Sequence, residues 1–147
     1  MTARIASLLW VCCLPVGLCA AEPANPALDA MQGTWTVLTF TSNGEEVPAS
    51  TIVAWKRTVT GKHVVWKDGD LVLVETDFEI DPSKSPMTLD STIATGDAKG
   101  QTMLAIYEFK DDVLRVCFAP PGEPRPVVFS AAAGTDALMY TCQRLKP

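Results

Sequence analysis

The chain has 147 residues, of which 48% are hydrophobic and 20% are charged, and its formal net charge is −5. This length suits one domain, and the balanced composition excludes a multi-domain enzyme, a coiled coil and a low-complexity disordered protein. The negative charge comes without any run of Lys or Arg. We therefore expect no binding to nucleic acid or to an anionic lipid surface, since both require a basic patch.

The first 21 residues are typical of a secretory signal peptide. A short basic start ends at Arg4, residues 5–20 are almost wholly apolar, and Cys19 and Ala21 are small residues that suit cleavage before Glu22. Loss of Arg4 would change the formal net charge of the mature chain to −6. We expect an exported protein, periplasmic or secreted.

Two alternatives for this N-terminal segment are weaker. A retained membrane helix would need roughly 20 apolar residues, which is more than this run supplies. A lipoprotein would be modified at Cys19, but that processing requires a small residue before the cysteine, and the chain has Leu18 there. The sequence therefore predicts a mature chain in which residues 22–30 form a flexible lead and residues 31–147 form one domain.

The domain is predicted to be all-β. A short helical turn over 27–32 is followed by segments rich in β-branched and aromatic residues, separated by turn residues such as Asn43-Gly44 and Asp68-Gly69. The predicted strands are 33–41, 55–60, 63–67, 71–81, 87–95, 101–109, 113–118, 126–130 and 137–145. The least periodic stretch, 45–54, is predicted to be a long connection with a short helix or lid at 49–54, and proline-rich 119–125 an ordered loop.

Alternation of residue types predicts which faces of two strands are buried. In 33–41, a period of two places Trp35, Val37 and Thr39 on one face. In 71–81 the alternation separates an apolar face from an acidic face. The apolar face has Val72, Val74, Thr76, Phe78 and Ile80, and the acidic face has Glu75, Asp77, Glu79 and Asp81. Such a strand has one buried and one solvated side.

About eight short antiparallel strands must hide their edges, and an up-and-down barrel does so by closing on itself. Most connections here are of hairpin length, whereas a β-sandwich, the alternative architecture, requires long crossovers. The predicted fold is a closed antiparallel barrel.

Gly33-x-Trp35 lies at the start of the first strand, and Arg144 lies in the last. These two features resemble lipocalins. In lipocalins the tryptophan closes one end of the barrel and the arginine packs over its ring as a cation–π pair. The resemblance implies structural roles for Gly33, Trp35 and Arg144.

A broader resemblance covers residues 31–145. The segments 32–35 (QGTW), 44–48 (GEEVP), 81–86 (DPSKSP), 106–108 (IYE) and 117–126 (CFAPPGEPRP) occur in this order. They are similar to motifs of a family of small exported lipocalin-like domains, abundant in planctomycetes and without an assigned function. The match weakens at 49–70, where Trp55 and His63 depart from the pattern. The resemblance implies a fold and an exported location, and it implies no reaction.

Tyr107, Phe118 and Arg125 are the candidate ligand-binding residues. They lie on or beside the family-like motifs, and a stiff proline-rich loop near a barrel rim could present an aromatic wall and one guanidinium to a small acid or fatty anion. The structural alternative is that the two aromatic residues fill the core and Arg125 caps loop carbonyls.

Cys117 and Cys142 are the only cysteines after the signal segment. In an oxidising compartment they could form a disulfide. A metal site is not expected, because the chain lacks C-x-x-C pairs and His63 is its only histidine. We expect no cofactor.

The acidic row at Glu75, Asp77, Glu79 and Asp81 is interpreted as a solvated face, because alternate residues on one strand diverge too far to hold calcium alone. Lys56, Lys67 or Lys84 could lessen the repulsion. Asp68-Gly69-Asp70 is interpreted as a hairpin turn, since the other ligands of a calcium loop are missing.

No catalytic motif is present: the chain lacks G-x-S-x-G, a Cys/His signature and a Gly-rich phosphate loop. An enzyme is the third hypothesis, and a cluster of Glu108, His63 and Arg115 at one barrel mouth would favour it. The leading hypothesis is a monomeric barrel that binds a small hydrophobic or amphipathic molecule inside or at its rim. The alternative is a barrel filled by its own side chains that acts as a protein- or envelope-interaction module.

Overall fold

A computed structural model describes residues 24–146, so the predicted signal peptide and its cleavage site lie outside the described residues. Two short helices and nine strands follow one another along the chain. They are α1 (Pro26–Met31), β1 (Gly33–Ser42), β2 (Glu45–Glu46), α2 (Ala49–Ile52), β3 (Trp55–Thr60), β4 (His63–Asp68), β5 (Leu71–Asp81), β6 (Met87–Ile93), β7 (Thr102–Lys110), β8 (Val113–Phe118) and β9 (Leu138–Arg144).

Eight of the strands form a closed antiparallel barrel. Each strand from β3 to β9 pairs with the next one along the chain, and β1 closes the barrel by pairing with both β3 and β9. The two-residue strand β2 adds only to the end of β1. The predicted all-β, up-and-down barrel is confirmed, and the sandwich alternative is excluded because one continuous sheet closes on itself.

The predicted strand at 126–130 is wrong. Val127 and Val128 are 78% and 63% exposed, and the Ser130 N–H bonds locally to the Val128 carbonyl. Pro126 has no N–H for a ladder, and both edges of β8 are already paired, with β7 and β9. Residues 119–137, which we call the strap, instead cross the outside of the barrel.

Two β-bulges change the predicted faces. Between Val37 and Thr39 the β1–β9 register shifts by one residue, so Thr39 lies opposite Thr141 on the outer surface instead of beside Trp35. A second shift between β4 and β5 places Val72 opposite Lys67, with Val72 44% exposed. One extra residue reverses the alternation of side chains across the bulge. Thr39 therefore does not share a face with Trp35, and the assignment of Val72 to the buried face is wrong.

The helix α1 belongs to the barrel domain. Asn25 caps it, its side chain accepting from the Leu28 N–H at 3.2 Å, and Pro26 occupies the first turn. Leu28 packs against the core and Met31 is fully buried. The domain therefore begins before residue 31, and part of the predicted flexible lead is ordered. Within residues 24–146, no helix has the length and apolarity needed to cross a membrane.

The strap is held against the β1–β2 turn at a position that only glycine can occupy. Gly44 has φ +81°, and a Cβ there would lie 2.5 Å from the Ala133 backbone nitrogen. The neighbouring Asn43 side chain accepts from the Gly134 N–H at 2.6 Å. The predicted turn dipeptide therefore also anchors the strap.

Candidate ligand cavity

One end of the barrel interior is filled. Arg144 lies opposite Trp35 in the β1–β9 register, and its guanidinium carbon is 4.4 Å from the Trp35 ring centroid. Arg144 also donates to the carbonyls of Ala30 and Gln32, and the Trp35 indole N–H donates to the Met31 carbonyl at 3.0 Å. These contacts tie α1 across this end, which we call the closed end.

Gly33 makes this arrangement possible. Its φ of +105° is a backbone conformation that favours glycine. A Cβ at this position would lie 3.6 Å from Arg144 Nη1, an ordinary van der Waals contact, so the backbone conformation and not a lack of space favours glycine. The chain can therefore turn from α1 into β1 while the guanidinium stays over the tryptophan ring.

The opposite half of the interior encloses a cavity of about 260 Å³. Its lining is largely apolar, and Leu73, which is 42% exposed, places its mouth near the β4–β5 hairpin. The aromatic members of the lining are Phe40, Trp55, Trp66, Phe78, Phe118 and Tyr140. They pack edge to face in several places, with ring centroids 5.2 Å apart for Phe40 and Trp55 and 4.9 Å apart for Trp66 and Tyr140.

Arg57 is the charged residue of this cavity, and it was not predicted. It is 2% exposed, lines the cavity, and lies between Trp35 on β1 and Trp66 on β4 in the sheet register. Its Nε and Nη1 atoms have no hydrogen-bond partner, and Arg57 has no ion-pair partner within residues 24–146. The alternation in β3 could have revealed it, since Trp55, Arg57 and Val59 share one face.

Arg57 influences two neighbouring groups. Burial raises the pKa of Tyr140 to about 12, although the charge of Arg57 and a hydrogen bond from it act in the opposite direction. Burial likewise raises the pKa of Cys142 to about 11, again opposed by the Arg57 charge. Both groups therefore remain protonated and neutral at pH 7, and neither supplies a negative charge to Arg57.

The predicted trio of Tyr107, Phe118 and Arg125 does not form one site. Phe118 lines the cavity. Tyr107 is buried nearer the closed end, where its ring packs against Phe109. Arg125 lies on the outer surface, where the strap holds it against the sheet: it donates to the Ala105 carbonyl at 2.7 Å and to Asp90 at 2.6 Å. Arg125 anchors the strap and takes no part in the cavity.

The disulfide considered for Cys117 and Cys142 is not formed, and both are buried free thiols. Cys142 lies opposite Leu114, three residues from Cys117 along β8. Residues separated by three positions point to opposite faces of a strand. Accordingly Cys142 packs in the core, while the Cys117 Sγ contacts the Ser130 carbonyl at 3.3 Å beneath the strap.

We expect both thiols to react slowly in the folded protein and completely after unfolding without a reductant. Burial raises the pKa of both, and for Cys142 the shift from 9.0 to about 11 lowers the thiolate fraction about 100-fold at pH 8. Iodoacetamide labelling followed by intact mass measurement tests this. An unlabelled unfolded chain, about 2 Da lighter than the reduced form, would show that a bridge exists.

Side chains of the neighbouring β3–β4 hairpin contact three carboxylates of the acidic row of β5. Lys62 pairs with Glu79 at 2.8 Å, and His63 bonds to both Asp77 at 2.8 Å and Glu75 at 3.1 Å. Of the three lysines proposed for this role, Lys84 reaches Asp81 at 3.9 Å, whereas Lys56 bonds to Thr36. Within residues 24–146, no group of three or more His, Cys, Asp or Glu could hold a metal ion.

The His63 contacts predict a pH dependence of stability. The hydrogen bond to Asp77 raises the His63 pKa above 6.5, partial burial lowers it, and Glu75 adds a further increase. A raised pKa stabilises the fold fully below pH 6.5, and this contribution is lost as the pH rises through the folded pKa. We expect His63→Gln to destabilise the protein more at pH 5.5 than at pH 8.5. Equal losses in urea unfolding at both pH values would contradict this.

His63 does not join Glu108 and Arg115 at one barrel mouth. Glu108 and Arg115 form an ion pair at 3.3 Å across β7 and β8, where Arg115 also lies over the Phe129 ring of the strap at 4.7 Å. His63 instead contacts the acidic row of β5. The catalytic cluster considered from the sequence is therefore not assembled.

Comparisons with protein-family models, with curated proteins and with solved structures find no match to this chain. The cavity, with its aromatic lining and the buried Arg57, is the feature on which a function can be argued.

Proposed function

We propose that this chain is an exported lipocalin-like barrel that binds a small, partly apolar molecule inside its open half. The cavity of about 260 Å³ carries the proposal. A barrel of eight strands either is filled by its own side chains or holds one small ligand. Here the closed end is filled by Trp35, Tyr107 and Phe109, whereas the open half is not.

The cavity indicates a small ligand. At about 30 Å³ for each water-sized group, a volume of about 260 Å³ accommodates a molecule of roughly nine non-hydrogen atoms. Aliphatic side chains complete the aromatic lining, namely Leu73, Val74, Leu89, Ile93, Met103 and Leu138. Burial of an apolar body against this surface would drive binding at about 25 cal/mol per Å².

Export is supported by the N-terminal sequence and by the resemblance to small exported lipocalin-like domains. If it occurs as proposed, the full chain expressed in a Gram-negative host yields periplasmic protein whose first residue is Glu22. Recovery of the protein from the cytoplasm with residues 1–21 still attached would refute export.

Neutral 1-octanol, which has nine non-hydrogen atoms, is the probe for ligand binding. Trp55 and Trp66 line the cavity, so their fluorescence reports occupancy. Ser91 is buried and lines the cavity. We expect Ser91→Leu to weaken octanol binding at least tenfold, because the leucine side chain places three carbon atoms in the cavity where serine has one hydroxyl oxygen.

The matched control is Thr92→Leu, since Thr92 is the next residue of β6 and bonds to Thr102 on the outer surface. It should bind octanol as the wild type does. Absence of saturable binding to the wild-type barrel, or equal weakening by both variants, would overturn the cavity proposal and favour the interaction module.

A further inference from the structure

We infer that the ligand of this cavity is a small carboxylate with an apolar body, and that its carboxylate pairs with Arg57 inside the barrel. This inference rests on the proposed function, since it names the chemical class that the same cavity selects. The observation behind it is a buried guanidinium that lines an apolar cavity and has two unpartnered nitrogens.

The charge of Arg57 is the first argument. A guanidinium stays cationic in proteins, and removal of a charge from water is costly unless a counter-charge or several hydrogen bonds replace the solvent. Within residues 24–146 the ion pairs of the other arginines are Arg115–Glu108 and Arg125–Asp90, both on the outer face. No described carboxylate pairs with Arg57, so a ligand that carries a negative charge would supply the missing counter-charge.

The hydrogen-bond donors around Arg57 are the second argument. Arg57 Nε and Nη1 and the Trp55 indole N–H are buried without acceptors. The Tyr140 phenol, kept protonated by burial, also faces the cavity. A carboxylate offers two oxygens with about four lone-pair positions, and it matches a site in which donors lack acceptors. A cationic or donor-only ligand would leave these groups unsatisfied.

The positions of the polar and apolar lining residues indicate how the ligand is oriented in the cavity. Arg57 lies two residues inside the start of β3, at the level of Trp35 and Trp66. Leu138 begins β9 and Met103 is the second residue of β7, so both lie nearer the open end. The carboxylate is therefore buried first, and the apolar body extends from Arg57 toward the mouth.

Three probes of equal chain length test the inference: octanoate, 1-octanol and octylamine. At pH 7 we expect the wild-type protein to bind octanoate at least tenfold more tightly than octanol, because hydrogen bonds to charged groups contribute more than neutral ones. Octylamine should bind more weakly than octanol. Tryptophan fluorescence and calorimetry provide the dissociation constants.

Arg57→Met is the decisive variant, since it removes the charge while retaining an unbranched side chain. We expect it to abolish the preference for octanoate over octanol. Lys56→Met is the matched control: Lys56 is the adjacent residue and bonds outward to Thr36. The control should retain the full preference for octanoate.

A second measurement uses the wild-type protein alone. A carboxyl group becomes protonated as the pH falls through about 4.3, and the neutral acid no longer pairs with the guanidinium. The preference for octanoate should therefore disappear, while octanol binding persists. Equal binding of octanoate and octanol at pH 7, or an unchanged preference in Arg57→Met, would overturn the inference and leave the proposed function intact. Failure of all three probes to bind would instead refute the proposed function.

Discussion

Trp35→Ala is expected to lower the free energy of unfolding by about 3–5 kcal/mol, the range for truncating a large buried aromatic residue. Trp35 is fully buried, and its ring centroid is 4.4 Å from the Arg144 guanidinium carbon and 6.1 Å from the Phe109 ring centroid. Its indole N–H also holds α1 through the Met31 carbonyl. Truncation would open the closed end and detach the helix. Urea unfolding monitored by circular dichroism measures the loss.

Trp35→Phe is the matched variant, because it retains an aromatic ring but lacks the indole N–H donor. We expect it to lose less than half as much stability as Trp35→Ala. If Trp35→Ala changed the free energy of unfolding by less than about 1 kcal/mol, the structural role assigned to this residue would be wrong.

Arg57→Met is expected to raise the free energy of unfolding of the unliganded protein by about 1–4 kcal/mol. Replacement of a buried ion pair by well-packed apolar side chains of similar volume is often neutral or stabilising by up to this amount, and at Arg57 the cost of removing a charge from water likewise disappears. The methionine would pack against the apolar lining that now surrounds the guanidinium. Urea unfolding of ligand-free protein, refolded from denaturant to remove any bound molecule, measures the gain.

The expected combination of greater stability and lost octanoate preference separates a binding role from a structural one. An arginine retained for folding would give the opposite result, namely a loss of several kcal/mol when it is removed. Lys56→Met should change stability by no more than about 0.5 kcal/mol, as expected for a surface residue. Destabilisation by Arg57→Met beyond about 1 kcal/mol would assign Arg57 to the scaffold.

Local sequence patterns predicted most of the strands. The alternation and turn residues correctly bounded β3, β5 and β8 and located five other barrel strands to within about two residues. The error at 126–130 has a physical cause: apolar and β-branched residues favour a strand locally, but a strand also needs a free edge to pair with. In this barrel β9 already occupies the edge of β8.

The candidate site was predicted less well. Phe118 lines the cavity, whereas Tyr107 packs toward the closed end and Arg125 lies outside the barrel. Motif proximity in the sequence placed these three together, although the strap carries Arg125 onto the opposite side of the sheet from Phe118. Arg57 could have been found from its strand alternation, yet an inward-facing arginine is unusual enough that Lys56 and Arg57 first look like ordinary surface charges.

The sequence by itself determined the class of fold, because periods of two and turn residues are local properties, and hairpin-length connections leave closure as the simplest way to pair every edge. The resemblance to lipocalins indicated structural roles for Trp35 and Arg144, and the alternation of residue types indicated the solvated acidic face of β5. Tertiary structure alone decided the faces of Thr39 and Val72, the separation of the two cysteines, and the existence of the cavity. Bulges, register and unfilled volume arise from pairing and packing between distant strands, so no single segment of the chain contains them.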